Sequence, residues 1–161
     1  THDQEEALTM SDRIAVLNHG RCMQCDGPEA IFRKPRTRFV ARFFRGCNVV
    51  EGQIETNGTA TFSIAGRKLQ LDDAPAMPAG PRAAAIRGET LAFTDKADEA
   101  DLLLPARLET ITYRGIYSDY RLRLEDGQEI SATLPHRHDL AAGQPVSVGI
   151  RITEVVVLED V

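Results

Sequence analysis

Cys47-Asn48-Val49-Val50-Glu51-Gly52-Gln53-Ile54-Glu55-Thr56-Asn57-Gly58 is the stretch on which the reading of the fold turns. Before it, the chain reads as short helices around one hairpin; after it, as strand upon strand. Val49, Val50 and Ile54 open the series. Asn57-Gly58 is a hairpin signal, because both residues tolerate the positive φ of a tight turn. Residues 61–64 and 68–71 follow as short strands, and Pro75, Pro78, Gly80 and Pro81 mark a loop. Residues 83–87, 106–114, 117–124, 129–134 and 146–157 are further strand candidates, with Asp126-Gly127 as a tight turn between two of them. Many short strands at regular spacing, with no long helix between them, predict a small β-barrel or sandwich.

Working back from Cys47, the pattern is mixed. Asp3, with Glu6 three residues on, makes a capping-box start for a short helix through about Met10. Residues 13–17 read as a strand, Asn18-His19-Gly20 as a turn and 21–25 as the partner strand. Asp26-Gly27-Pro28-Glu29 begins another helix, with Pro28 tolerated in the first turn. A further helix begins near Thr37 and places Phe39, Val40, Phe43 and Phe44 on one side. The chain is therefore expected to be mainly β, with a short α/β segment over 1–47 and a β domain over 48–161.

Charge follows the same division. Residues 1–47 carry eight Lys/Arg against six Asp/Glu, a net +2; residues 48–161 carry eleven against eighteen, a net −7. An acidic β domain argues against a nucleic-acid partner, which requires a basic footprint. Its aromatics, Phe62, Phe93, Tyr113, Tyr117 and Tyr120, are too sparse for a base-stacking surface. No apolar run approaches the roughly 20 residues that span a bilayer. The polar, acidic start does not read as a signal peptide, and its lack of Met is expected of a segment of something longer. Three cysteines are too few for a disulfide framework and favour a reducing compartment.

Three constellations invite a site. Cys22-Met23-Gln24-Cys25 has C-x-x-C spacing, with His19 and Cys47 as the nearby candidates for completing a zinc site. In a hairpin strand, however, alternation sends the two thiols to opposite faces, so ordinary buried or half-buried cysteines are expected. His136-Arg137-His138 beside Asp139 presents two imidazoles on one face if extended; a polar loop between Pro135 and Gly143 is the plainer reading. Arg33, Lys34, Arg36, Arg38, Arg42 and Arg45 are interleaved with Phe39, Phe43 and Phe44, either facing anionic lipid or another subunit, or solvated or locally paired around packed aromatics. No metal site is expected.

An ordered series of segments carries a resemblance. Thr1-His2-Asp3-Gln4-Glu5-Glu6-Ala7 followed by Ser11-Asp12-Arg13-Ile14-Ala15-Val16-Leu17 resembles the histidine switch loop and next strand of ABC-transporter ATPases. Asn18-His19-Gly20-Arg21 and Gly27-Pro28-Glu29-Ala30-Ile31-Phe32 are similar to that family's following hairpin and helix. Pro35, Phe39-Val40-Ala41 and Gly46-Cys47-Asn48-Val49-Val50-Glu51-Gly52 resemble the link to a C-terminal TOBE domain, an OB-like β fold. Ile111-Thr112-Tyr113-Arg114-Gly115, Gly143-Gln144-Pro145-Val146-Ser147-Val148 and Val155-Val156-Val157-Leu158 are similar to TOBE strands and turns. Arg87-Gly88-Glu89 stands where such domains often read Arg-Pro-Glu, and Gly for Pro is expected to loosen the backbone there.

The resemblance implies the end of an importer ATPase over 1–47 and a TOBE regulatory domain over 48–161. It implies ATP-driven uptake of a polyamine, ferric iron or a related solute by the intact parent. His2 is then the switch histidine that contacts the γ-phosphate and helps position the attacking water. ATP and magnesium belong to that parent; no G-x-x-x-x-G-K-[ST] loop is present here, so the chain alone is expected to hold no cofactor and turn over no ATP. The implied partners are a second copy, through the TOBE domain, and membrane permease subunits. The implied location is cytoplasmic, peripheral on the inner face of a bacterial plasma membrane. The alternative is a small-ligand sensor whose OB-like domain binds an oxyanion or the transported solute.

Overall fold

The computed structural model describes residues 4–57, 59–71 and 77–159. Helix α1 (Gln4–Met10) leads into a hairpin of β1 (Ile14–Asn18) and β2 (Arg21–Asp26), turned through His19 and Gly20 at φ 46° and 77°. Left-handed backbone at both central residues is the twist-matched turn for such a hairpin. Helices α2 (Pro28–Arg33) and α3 (Arg38–Phe43) follow. Pro28 opens α2, and the Thr37 hydroxyl accepts from the Val40 N–H to cap α3. Ile14, Val16, Ile31, Val40 and Phe44 bury together as the core of this segment. The capping residue expected for α1, Asp3, lies outside the described residues.

From β3 (Cys47–Asn57) onward the chain is strand: β4 (Thr59–Ile64), β5 (Arg67–Gln70), β6 (Gly80–Arg87), β7 (Ala92–Phe93), β8 (Leu102–Tyr113), β9 (Tyr117–Leu124), β10 (Glu129–Pro135), β11 (Pro145–Ile150) and β12 (Val155–Val157). They form two five-stranded antiparallel sheets, ordered β12-β6-β3-β4-β5 and β10-β9-β8-β11-β7. Asn57 stands opposite Thr59 in the β3–β4 hairpin, whose Gly58 lies outside the described residues. The expected mainly β, OB-like architecture is borne out.

Alternation builds the core between the sheets. On β9, Ser118, Tyr120, Leu122 and Leu124 point inward and their neighbours outward. On β8, Leu102, Leu104, Ala106 and Leu108 do the same, until Glu109 is left without a partner between the Leu108–Leu122 and Thr110–Arg121 pairs. This bulge re-phases the strand, so that Ile111 returns to the core face three residues after Leu108. Tyr120 is fully buried; its hydroxyl donates to the Pro135 carbonyl at 3.3 Å and accepts from the Arg137 N–H at 2.8 Å.

Strand β6 is buried on both faces. Ala84 and Ile86 face the inter-sheet core, while Ala83 and Ala85 pack with Ala41 of α3 and Leu158. Alanine on the outer face lets the helix approach the sheet closely, and Ala83 to Ile86 accordingly read as a continuous apolar run between Arg82 and Arg87. Gly52 on β3 answers a similar need, because a Cβ there would stand 2.3 Å from the Ser63 carbonyl oxygen and 2.4 Å from the Phe62 ring.

Side-chain amides stitch the sheets together along the first half of β3. Asn48 donates to the Ser131 carbonyl at 2.8 Å and accepts from the Ser131 N–H at 2.7 Å. Gln128 repeats this with the backbone of Glu51, at 2.6 and 3.0 Å. Each amide satisfies both polar groups of one backbone residue, as a ladder strand would.

Candidate functional site: the seam between the helical segment and the sheets

Arg87, the last residue of β6, turns away from its sheet into the segment of residues 28–47. Its guanidinium lies over the Phe32 ring of α2, 3.6 Å from the centroid. Nη2 donates to the Arg45 carbonyl at 2.6 Å, and Nε pairs with Glu89 at 3.1 Å. Arg87 is 7 % exposed. Burying a cation is costly unless its donors and charge are met, and here an aromatic face, a carbonyl and a carboxylate meet them.

Gly88 corrects the expectation of a loosened backbone. Its N–H donates to the Gly46 carbonyl at 2.8 Å, a bond that proline could not make. A Cβ at 88 would stand 2.6 Å from the Ser131 carbonyl oxygen. Glycine is thus required by close approach of two backbones, and the Arg87-Gly88-Glu89 turn is tight. Cys47 beside it is half-buried; burial raises its thiol pKa, with Arg87 partly opposing.

Gln4, at the start of α1, meets the same seam from the other side. Its amide nitrogen donates to the Phe43 carbonyl, and its amide oxygen accepts from the Arg45 N–H at 3.3 Å. It thereby satisfies backbone groups at and just beyond the C-terminus of α3, which would otherwise be orphaned. His2, the expected switch histidine, lies outside the described residues.

On another face the seam opens into a cleft of about 1150 Å³. Val155 and Val157 of β12 contribute apolar surface, while Arg33, Lys34, Arg82 and Glu154 bring charge to its walls. Arg82 is held by the Glu159 carbonyl at 3.0 Å, and Arg36 stands 4.0 Å from the Glu159 carboxylate.

The remaining sequence candidates resolve differently. The cysteines do not alternate, because Met23 bulges out of β2. Cys22 stands opposite Leu17 and Cys25 opposite Ala15, so both reach the same side and both are exposed rather than buried. His136 and His138 do come together, at 4.5 Å between ring centroids, within the expected loop. Ser118 holds His136 Nδ1 at 2.7 Å, and Asp139 is taken by Arg137. Among the described residues no group of three or more His, Cys, Asp or Glu is placed to hold a metal. In the basic stretch, Phe39, Phe43 and Phe44 pack inward while Arg38 pairs with Glu51 and Arg33 with Glu29. The G-x-x-x-x-G-K-[ST] loop that cradles phosphates in such ATPases does not occur in the sequence. Among the described residues no helix is long and apolar enough to cross a membrane.

The seam itself could not be read from spacing. Arg87 and Arg45 lie 42 positions apart, and Asn48 and Ser131 83 apart. The one available signal was the Arg87-Gly88-Glu89 tripeptide that the family resemblance singles out.

Comparison with known proteins places this geometry. Residues 84–158 match the TOBE domain model. The spermidine/putrescine import ATP-binding protein PotA 1 of Pseudomonas aeruginosa is 33% identical over 99% of this chain and 44% of its own length. PotA of Rubrobacter xylanophilus is 38% identical over 92% of this chain and 41% of its own. The putrescine transport ATP-binding protein PotG of Escherichia coli is 34% identical over 90% and 40%. The chain thus spans less than half the length of these relatives. Among solved structures, the cytoplasmic molybdate-binding protein ModG superposes with a TM-score of 0.55 at 20% identity, covering 68% of this chain and 94% of that one. At that identity the likeness shows the fold alone.

Proposed function

Because the chain carries a TOBE domain and its relatives are ATP-binding proteins of polyamine import, we propose that it is the regulatory, C-terminal part of such an importer ATPase. Residues 1–47 are the end of the ATPase domain and 48–161 the TOBE domain. The matched region begins inside β6, but β3, β4 and β5 complete the same sheet, which supports a boundary near Cys47. The intact protein binds ATP and magnesium, hydrolyses ATP to drive polyamine uptake, and works against permease subunits at the inner face of the plasma membrane. His2 serves there as the switch histidine. The observation that carries the reading is the similarity over nearly the whole chain to proteins of this one activity. Its test is a fusion of this chain to the preceding part of a PotG-type relative. His2→Ala is expected to lower ATP hydrolysis by the fusion at least about a hundredfold, in the range for a lost proton-handling or positioning group. Hydrolysis unchanged by the substitution contradicts it.

A second copy is the partner the TOBE domain meets. Tyr113, Ile116 and Tyr117, large apolar side chains exposed at the β8–β9 turn, support this. The His136 ring packs on Tyr113 at 4.8 Å and extends the patch. Arg114 pairs with Asp119 and Arg137 with Asp139 at its rim, so both signs are present and a two-fold contact can set one against the other.

The seam cleft favours a second reading, in which the transported solute or an oxyanion binds between the segment and β12. A thermal shift with putrescine, spermidine, sulfate and molybdate tests it; no shift with any of the four counts against sensing.

A further inference from the structure

Arg45 is held at both ends of one peptide residue by side chains from opposite sides of the seam. Its N–H donates to the Gln4 amide oxygen at 3.3 Å, and its carbonyl accepts from Arg87 Nη2 at 2.6 Å. Gln4 also binds the Phe43 carbonyl, and Phe43 and Phe44 stand edge-on at 5.2 Å. Phe44 in turn meets Phe32 at 5.9 Å, and Phe32 carries the Arg87 guanidinium. Gly88 fastens the neighbouring Gly46 carbonyl at 2.8 Å while its α-carbon side abuts Ser131 of β10. Two routes therefore run from Gln4 to Arg87, one of side-chain hydrogen bonds to the Arg45 backbone and one of edge-on ring contacts. Both end in a residue anchored to the two sheets.

We propose that Gln4 and Arg87 are positioning residues of one relay, through Arg45, that makes the placement of α1 depend on the state of the β domain. Resting on the reading of His2 as the switch histidine, two residues before Gln4, the relay gives the regulatory domain a direct handle on the catalytic segment. Gln4 suits the task because one amide donates and accepts at once. Arg87 suits it because its planar fork serves a carbonyl and a carboxylate while its face covers a ring. A contiguous path is only a warrant for coupling when perturbation at one end is felt at the other, in both directions.

The test is hydrogen exchange on this chain, without nucleotide. Arg87→Lys keeps the charge but not the fork, and Arg87→Met removes both. Either is expected to speed exchange of the α1 amides by about tenfold, the consequence of losing a charge-assisted hydrogen bond. Exchange in β8 and β9 stays as in the parent chain. Gln4→Leu, at the far end, is expected to speed exchange of the Gly88 N–H, and the Gln4→Leu/Arg87→Lys pair to be non-additive. A merely local role for Arg87 loosens residues 43–47 and 87–90 but leaves α1 unchanged; that result, or additivity of the pair, overturns the relay. Should Arg87→Met fail to fold, Arg87→Lys and Gln4→Leu still decide it. Failure here leaves the importer reading standing, because that reading is tested separately by hydrolysis in the fusion.

Discussion

Arg87 stands with its guanidinium 3.6 Å from the centre of the Phe32 ring, joining β6 to α2 across 55 residues of chain. Such contacts contribute about 0.5–2 kcal/mol depending on how dry they are, and this one is buried. The same arginine also binds the Arg45 carbonyl and Glu89, so one side chain fastens a helix, a loop and its own strand end. The two sheets and the preceding segment are therefore fixed to one another by specific chemistry as well as by apolar packing.

Gly88→Ala is expected to destabilise the chain by about 1–3 kcal/mol, the usual cost of forcing a methyl into a filled site. The Cβ meets a backbone carbonyl oxygen, Ser131, rather than a side chain that could swing away. Urea unfolding measures the loss. Gly127→Ala serves as a contrast, since nothing lies within 4 Å of a Cβ there and any cost comes from its φ of 87° alone.

Asn48→Ala removes both hydrogen bonds to Ser131, and Gln128→Ala both to Glu51. Each is expected to cost about 0.5–1.5 kcal/mol, the net worth of an ordinary hydrogen bond, because Ser131 and Glu51 are exposed and water can take up the freed backbone groups. Amide exchange reads the effect site by site: Ser131 is expected to lose protection in Asn48→Ala and Glu51 in Gln128→Ala.

Acid is expected to weaken the seam. The Arg38 hydrogen bond, ahead of its Coulomb attraction, holds the Glu51 carboxyl below its ordinary value of 4.5. A carboxylate whose folded pKa is depressed contributes stability that is complete above the unfolded value and lost as pH falls through the folded one. Glu51→Gln is therefore expected to lower Tm at pH 7 and to converge with the parent chain in acid, as pH falls past the ordinary carboxylate value and through the depressed folded one. Equal Tm differences at pH 7 and in acid would show that the charge pair is not the cause. Glu51 is exposed and Arg38 half-buried, so the effect is expected to be small and to fade in salt.

Ile116→Glu is expected to weaken self-association at least about tenfold while leaving stability unchanged, since Ile116 is 90% exposed and fills no core site. Sedimentation equilibrium across protein concentrations measures this. Leu17→Glu, on the β1–β2 hairpin, serves as a second exposed apolar site whose substitution is expected to leave any self-association unchanged.

Much of the strand pattern was legible because alternation is local: Ser118, Tyr120, Leu122 and Leu124 announce one buried face without reference to any partner. The turns were legible for the same reason, His19-Gly20 and Asp126-Gly127 being residues that accept left-handed backbone. Bulges were not. Met23 and Glu109 are unremarkable in sequence, and only pairing against β1 and β9 shows that each is one residue too many. That is why Cys22 and Cys25 share a face that alternation denied them. The seam was hidden for a different reason: Gln4, Arg45 and Arg87 acquire roles only when tertiary packing brings them together. The role proposed for His2 rests on family resemblance alone, since a lone histidine carries no spacing signal.

The most direct measurement is polyamine uptake. A PotG-type relative whose matching segment is replaced by this chain, co-assembled with its permease in membrane vesicles, is expected to drive ATP-dependent putrescine accumulation. His2→Ala is expected to abolish that accumulation. A folded, membrane-assembled chimera that hydrolyses ATP yet moves no putrescine would contradict the reading of this chain as part of a polyamine importer.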